Sequence, residues 1–412
     1  MEISKVDRIE EQSNLVPNPG PLKLSPKVRI VLGVSVLIGL VTFILALNIA
    51  PQKAWSNFLV NQFYFLCLSL AGLFFVALNH ATRATWSVAL RRVAEGLAVY
   101  LPVAAFLYLG LIIGAQYIYP WAKPGFLEEH PLHYEGLPPL GGRRNYLTVP
   151  FFSARLVGSI LIWILYAFFL VRNSLRQEKT QALELTKKNI NLSVAFLPVF
   201  ALTFTLTAFD LLMSLEPRWY STIFAVYCFA GLFQAGLSLI IILTIWLRRQ
   251  GPLAEVVKPD HLKDLGVLLF AFTVFMAYIG FSQFMLIWYA NLPEETFFFM
   301  KRIKSGWLSY ALALPLLKFI IPFLALLSQA AKRNEKIMLS VASIVLLGEW
   351  LDIYWIVVPV FQETPPVWGW VEIGMLIGFW GVFWYAVTSF FRKNSVLATG
   401  DPRILESINW KH

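Results

Sequence analysis

The 412 residues include only two cysteines and five histidines, and just 14% of them are charged. Each scarcity excludes something. Cys67 and Cys228 both sit inside apolar segments. They are too few for an iron-sulfur cluster held by this chain alone, which usually takes four thiolates, and no CxxCH run offers attachment to a c-type haem. Two small apolar core residues is the simpler reading. A membrane cytochrome b needs axial ligands, commonly paired histidines, from within its helices. Of His80, His130, His133, His261 and His412, only His80 directly adjoins an apolar run, and it lies at the end of that run. His130 and His133 form an isolated HxxH with acids nearby, a weak metal signature that reads better as a solvated loop. The shortage of charge accompanies 58% hydrophobic residues and a mean hydropathy of +0.65, which is far from a soluble domain. The net charge of +10 does not argue for nucleic acid, because most basic residues fall in short loops between apolar runs, where they orient a membrane protein.

What is abundant is apolar length. Ten segments reach spanning length, at roughly 28–50, 56–79, 97–119, 151–171, 190–214, 220–247, 264–290, 305–328, 337–359 and 367–391. A helix of about 20 residues crosses a hydrocarbon core of about 30 Å. The runs are too long and too uniformly apolar for barrel strands, so the expected fold is all-α, a polytopic transmembrane helical bundle. The chain divides into an N-terminal tail at 1–27, a membrane domain at 28–391 and a C-terminal tail at 392–412. The first tail is polar and lacks the short apolar core of a cleaved signal peptide.

Ten crossings put both termini on one side. That side carries 23 Lys and Arg against 8 on the other, with Arg29, Arg155 and Lys318 inside spans. The positive-inside rule therefore makes both termini cytoplasmic. Trp55, Trp121, Trp219, Trp288, Trp307, Trp368 and Trp370 then fall near the outer boundary, where interfacial anchors are expected. The longest connection, 120–150, is external on this reading and too long for a simple hairpin link.

Ionisable groups inside the spans need a reason. Each ionised residue at the centre of a spanning helix costs about 2.5–3.5 kcal/mol, so such groups are paired, neutralised or hydrated inside the protein. The stretch LLGEWLDIYW sets Glu349 and Asp352 three residues apart, on one helical face, with Lys318 at similar depth on the preceding span. Polar groups mark three depths: Asn79, His80 and Asp264 on the cytoplasmic side, Lys318, Glu349 and Asp352 near the centre, and Asp210, Glu216, Gln283 and Glu372 on the outer side. A ladder of this kind suits proton movement, since each hop needs a titratable group or an ordered water. A structural salt bridge at the centre, with Asp210 and Glu216 capping helix ends, is the competing reading. A quinone would need an apolar slot with one or two polar groups near its carbonyls, and Asp210, Gln283, Tyr227, Tyr289 and Trp288 are the residues that could line one.

Two stretches carry a resemblance. LTAFDLLMSLEPRWYSTIFAVY at 206–227 and HLKDLGVLLFAFTVFMAYIGFSQFMLIWYANLPEET at 261–296 resemble the ActF membrane subunit of bacterial alternative complex III, a quinol:cytochrome c oxidoreductase, and the similarity extends to GEWLDIYWIVVP at 348–359. The resemblance implies an NrfD/PsrC-like subunit built on two four-helix bundles with two further helices, in the bacterial cytoplasmic membrane. It implies no redox centre in this chain, with haem c and iron-sulfur clusters in partner subunits: a multihaem cytochrome c, an iron-sulfur protein and an ActC-like paralogue that is itself the quinol site. A terminal oxidase is a further candidate partner. A secondary transporter, with charges at midplane, and a purely structural scaffold are the alternatives from other classes.

Overall fold

The computed structural model describes residues 19–124, 126, 143–362 and 368–411; His130, His133, His412 and most of the N-terminal tail lie outside the described residues. Ten helices are long and apolar enough to cross a membrane. They are α1 (Pro26–Ile49), α2 (Pro51–Ala81), α3 (Val88–Ile113), α4 (Val149–Thr180), α5 (Leu183–Leu215), α6 (Phe224–Arg249), α7 (Pro259–Ala290), α9 (Leu308–Ala325), α10 (Glu335–Val360) and α11 (Trp370–Phe391). A short helix, α8 (Pro293–Lys304), joins α7 to α9. Proline opens α2, α7 and α8, where its fixed φ suits the first turn and its missing N–H costs nothing. Among the described residues, extended pairing is limited to an isolated bridge between Pro21 and Ser395.

The sequence-based span at 97–119 is displaced in the structure to Val88–Ile113. The helix begins inside a charged stretch that hydropathy discounts. Arg91, Arg92 and Glu95 are all buried there, which is possible only because each finds an opposite charge. The other nine spans overlap the sequence reading, most to within a few residues; α4 runs nine residues past the expected end at 171 and α5 begins seven before the expected start at 190.

Two helices form the centre. α2 is 94% buried over its most apolar stretch and α6 is 89% buried; a helix apolar all round belongs in the interior of a bundle. The other spans surround them, with α3, α5, α10 and α11 against α2, and α7 and α10 against α6. α1, α4, α7 and α9 keep one apolar face outward, including Leu37, Leu161, Phe281 and Leu312, as lipid-facing helices do.

α1 is held mainly by α11. Its buried residues are Leu32, Ser35, Gly39, Thr42 and Ala46, a stripe of mostly small side chains at alternating three- and four-residue spacing. A Cβ on Gly39 would stand 2.4 Å from the Gly378 Cα, and one on Gly374 would stand 2.2 Å from the Thr42 hydroxyl. The two backbones touch because both sides are small, the usual means of helix association where lipid removes the hydrophobic drive. The segment before α1 also reaches the end of α11: Leu22 N–H donates to the Phe391 carbonyl at 2.8 Å.

Four of the seven tryptophans expected as interfacial anchors are instead buried in protein: Trp55, Trp121, Trp219 and Trp307. The indole N–H of Trp121 donates to the Ser214 carbonyl at 3.1 Å and that of Trp219 to the Glu295 carbonyl at 3.2 Å. These rings brace connections against the bundle. Trp288, Trp368 and Trp370 are exposed, as anchors should be.

Candidate functional site

Lys318 is one of three buried residues on α9, with Leu314 and Pro322 four residues to either side. The exposed side of that helix is apolar and includes Leu308, Leu312, Leu316 and Leu324. Around Lys318 the helix widens into a π turn, Leu316–Ile320, a local form often found at functional positions. Pro322 has no N–H to return to the Lys318 carbonyl four residues earlier, so that acceptor needs another donor. Gln234 on α6 supplies it: its side-chain amide donates to the Lys318 carbonyl at 2.7 Å and to the Thr273 hydroxyl on α7 at 3.0 Å. One amide thus fixes α6, α7 and α9 at the depth of the lysine.

The Lys318 ammonium donates to Glu349 Oε2 at 2.6 Å and to Asp352 Oδ2 at 2.5 Å. The expected pairing of the three central groups is present, and the three-residue spacing brings both carboxylates to one cation. The Tyr227 hydroxyl on α6 reaches Asp352 Oδ1 at 2.8 Å and Oδ2 at 2.7 Å. The four side chains come from three helices, Tyr227 from α6, Lys318 from α9, and Glu349 and Asp352 from α10. Two glycines make the room. A Cβ on Gly231 would lie 2.5 and 2.6 Å from the two Glu349 oxygens, and one on Gly348 would lie 2.9 Å from Lys318 Cγ. Fully ionised, the cluster holds one ammonium and two carboxylates, one negative charge in excess.

At the end opposite the termini, each acid named from sequence has a basic partner. Arg155 on α4 clasps Asp210 with two bonds, at 2.8 and 2.7 Å, and its guanidinium lies 3.6 Å from the centre of the Tyr146 ring. Glu372 pairs with Lys53 at 2.8 Å. Glu216 takes longer contacts from Lys301 at 3.5 Å and Arg302 at 3.4 Å. Arg302 is buried on α8 and donates to the carbonyls of Trp355 at 3.2 Å and Ile356 at 2.8 Å, just beyond Asp352. Burial pushes the pKa of this guanidinium down, against the opposing pull of Glu216.

At the termini face His80 is buried, with no hydrogen-bond partner for either ring nitrogen. Asn79 donates to the Phe75 carbonyl at 2.8 Å, and Asp264 accepts the Trp410 indole N–H at 2.9 Å. Next to His80 lies an ionic network that the sequence reading missed. Arg91 pairs with Asp401, Arg403 with Asp401 at 3.3 Å, Arg92 with Glu95 at 2.6 Å, and Arg92 again with Glu178. Burial alone would raise the Asp401 pKa, but Arg91 and Arg403 outweigh it and hold the carboxyl below the usual carboxylate range. The signal available was the Arg92–Glu95 spacing on an apolar helix; reading Arg91 and Arg92 as loop residues concealed it. Arg155 and Arg302 were missed as partners because helix contacts cannot be read from one sequence.

Among the described residues no side-chain hydrogen bond runs from one of the three depths to the next. Nor do the five quinone candidates converge. Tyr227 packs against Gly280 on α7, where a Cβ would lie 3.2 Å from its ring, and the buried Gln283 follows one turn later. Asp210 turns to α4, whereas Trp288 and Tyr289 are 68% and 84% exposed on the outside of α7. Among the described residues no group of three or more His, Cys, Asp and Glu side chains could hold a metal ion.

These features define a class, a multi-pass α-helical membrane protein with ten spans and a buried ionic cluster. Comparison with protein-family models and with curated proteins finds no match for the chain.

Proposed function

We propose that this chain is an integral subunit of a quinol:cytochrome c oxidoreductase of the alternative complex III type. It lies in the bacterial cytoplasmic membrane with both termini in the cytoplasm, and the Lys318, Glu349, Asp352 and Tyr227 cluster is its proton-loading group. The observation that carries the proton role is the unequal pairing of one ammonium with two carboxylates deep in the bundle. A set with one excess negative charge binds a proton when the field around it becomes more negative and returns it when the field relaxes. His80 and Asp264 serve entry from the cytoplasmic side; Asp210, Glu216 and Glu372 serve exit. The resemblance at 206–227, 261–296 and 348–359 supports the complex, and the excess of Lys and Arg at the termini face supports the orientation. On this reading haem c and iron-sulfur clusters belong to a multihaem cytochrome c and an iron-sulfur protein beside it, with an ActC-like paralogue as the quinol site.

The test is purification through a tag on this chain, followed by reconstitution. Co-purification of c-type haem and iron-sulfur protein is expected. Glu349→Gln is expected to assemble normally and to lower proton release and membrane potential per electron transferred. Unchanged coupling in an assembled Glu349→Gln complex would rule out the proton role and leave a scaffold. Purification of the chain alone, with solute uptake in vesicles, would favour a transporter instead.

A further inference from the structure

At the termini face a cleft opens between α3, α4 and the end of α11. It measures about 750 Å³, and one wall is apolar, with Pro102, Ile164 and Phe168 among the lining residues. Its rim is basic: Arg172, Arg176, Lys179 and Lys393. Arg172, Arg176 and Lys179 follow one another at four and three residues along α4, so they share one face. All four cations are exposed, and among the described residues no carboxylate lies within salt-bridge distance of any of them. Glu178, the acid at the rim, is already engaged by Arg92. On the other flank of Arg172 and Arg176, a second hollow of about 550 Å³ adds Lys188.

We propose that this cleft binds one anionic phospholipid, its phosphate among Arg172, Arg176, Lys179 and Lys393 and an acyl chain along Ile164 and Phe168. The two halves of the cleft match the two halves of such a molecule. From Ile164 to Arg176 the helix rises about 18 Å, close to the roughly 15 Å that one leaflet contributes to the hydrocarbon core. A rim of four exposed cations, whose one acid, Glu178, is engaged by Arg92, favours a head group with net negative charge over a zwitterionic one, whose amine would meet the same cations. Asn394 and Ser395 at the rim offer hydrogen bonds suited to a hydroxylated head group. Ala98, Val99, Ala167 and Val171 add to the apolar wall, which fits a chain rather than a free anion. This inference does not depend on the respiratory role.

Native mass spectrometry of the full chain purified in mild detergent tests it, with phosphatidylglycerol and phosphatidylcholine as the added lipids. The wild type is expected to retain one phosphatidylglycerol at least tenfold more strongly than phosphatidylcholine, and Arg172→Gln/Arg176→Gln to lose that preference. Equal retention of the two lipids, or an unchanged preference in the double variant, would overturn the site. Should the double variant fail to fold, the wild type decides: its melting temperature is expected to rise with phosphatidylglycerol and not with phosphatidylcholine, the rise shrinking at high salt. The same rise with inorganic phosphate alone would overturn the lipid assignment by showing that the cations need no acyl chain.

Discussion

An ammonium flanked by two carboxylates at 2.5 and 2.6 Å cannot lose its charge without leaving both acids uncompensated. Removing one partner of a buried ion pair costs about 3–5 kcal/mol. We therefore expect Lys318→Met to lower the melting temperature of the detergent-solubilised chain strongly, and the triple change Lys318→Met/Glu349→Gln/Asp352→Asn to recover much of the loss. A triple variant no more stable than the single one would show that the cluster's charges are not what holds α9 to α10. Gly231→Ala probes the same place from the other side, since its methyl would meet the Glu349 carboxylate at 2.5 Å. It is expected to cost about 1–3 kcal/mol by overpacking, read by the same melt. LLGEWLDIYW announced two acids on one face, and that much was legible because helical spacing is local. Tyr227, Gln234 and Gly231 were not legible as partners, since their roles depend on how α6 packs on α9 and α10.

For whole elements, the α1–α11 seam depends on small residues in register. Replacing Gly378 with Leu would drive a side chain into the Gly39 backbone. Gly378→Leu is expected to lower the melting temperature of the detergent-solubilised chain and to speed amide exchange along α1. An unchanged melt and exchange pattern would mean the seam tolerates separation. Gln234→Leu strands the carbonyl that Pro322 leaves open, at a cost of about 1–3 kcal/mol, and is expected to loosen α9 as seen by faster amide exchange around 316–322. All ten spans could be read from apolar length, because lipid imposes that length on any crossing helix. The start of α3 could not, since its charges are neutralised by Glu178 and Asp401, far away in sequence.

Across the whole molecule, the termini face is closed by the segment after α11. Asp401 joins it to Arg91 on α3, and Ser407 accepts the Ala89 N–H at 3.1 Å while donating to the Trp86 carbonyl at 2.9 Å. Because the Asp401 pKa is lowered on folding, its contribution is complete above the unfolded value near about 3.9 and is lost as pH falls through the folded value. Asp401→Asn is expected to melt below the wild type at pH 6, with the gap closing as pH drops under about 4. A gap independent of pH would show that the carboxylate charge is not what fastens this segment. The sequence reading treated 392–412 as a tail because its apolar residues are few and far short of a span; Val396, Leu397 and Ile404 are nonetheless buried in the core, and beside these ionic and backbone contacts they leave no periodic signature.

The α1–α11 seam also has a consequence in time. The first spanning helix of the described chain finds its main partner in the last. At about 5–20 residues per second, synthesis of the intervening chain takes on the order of tens of seconds. Through that interval α1 must wait in the lipid with its small-residue stripe uncovered, open to any other small-faced helix nearby. Stalling synthesis before α11 should therefore trap α1 with surrogate partners, whereas the finished chain releases them.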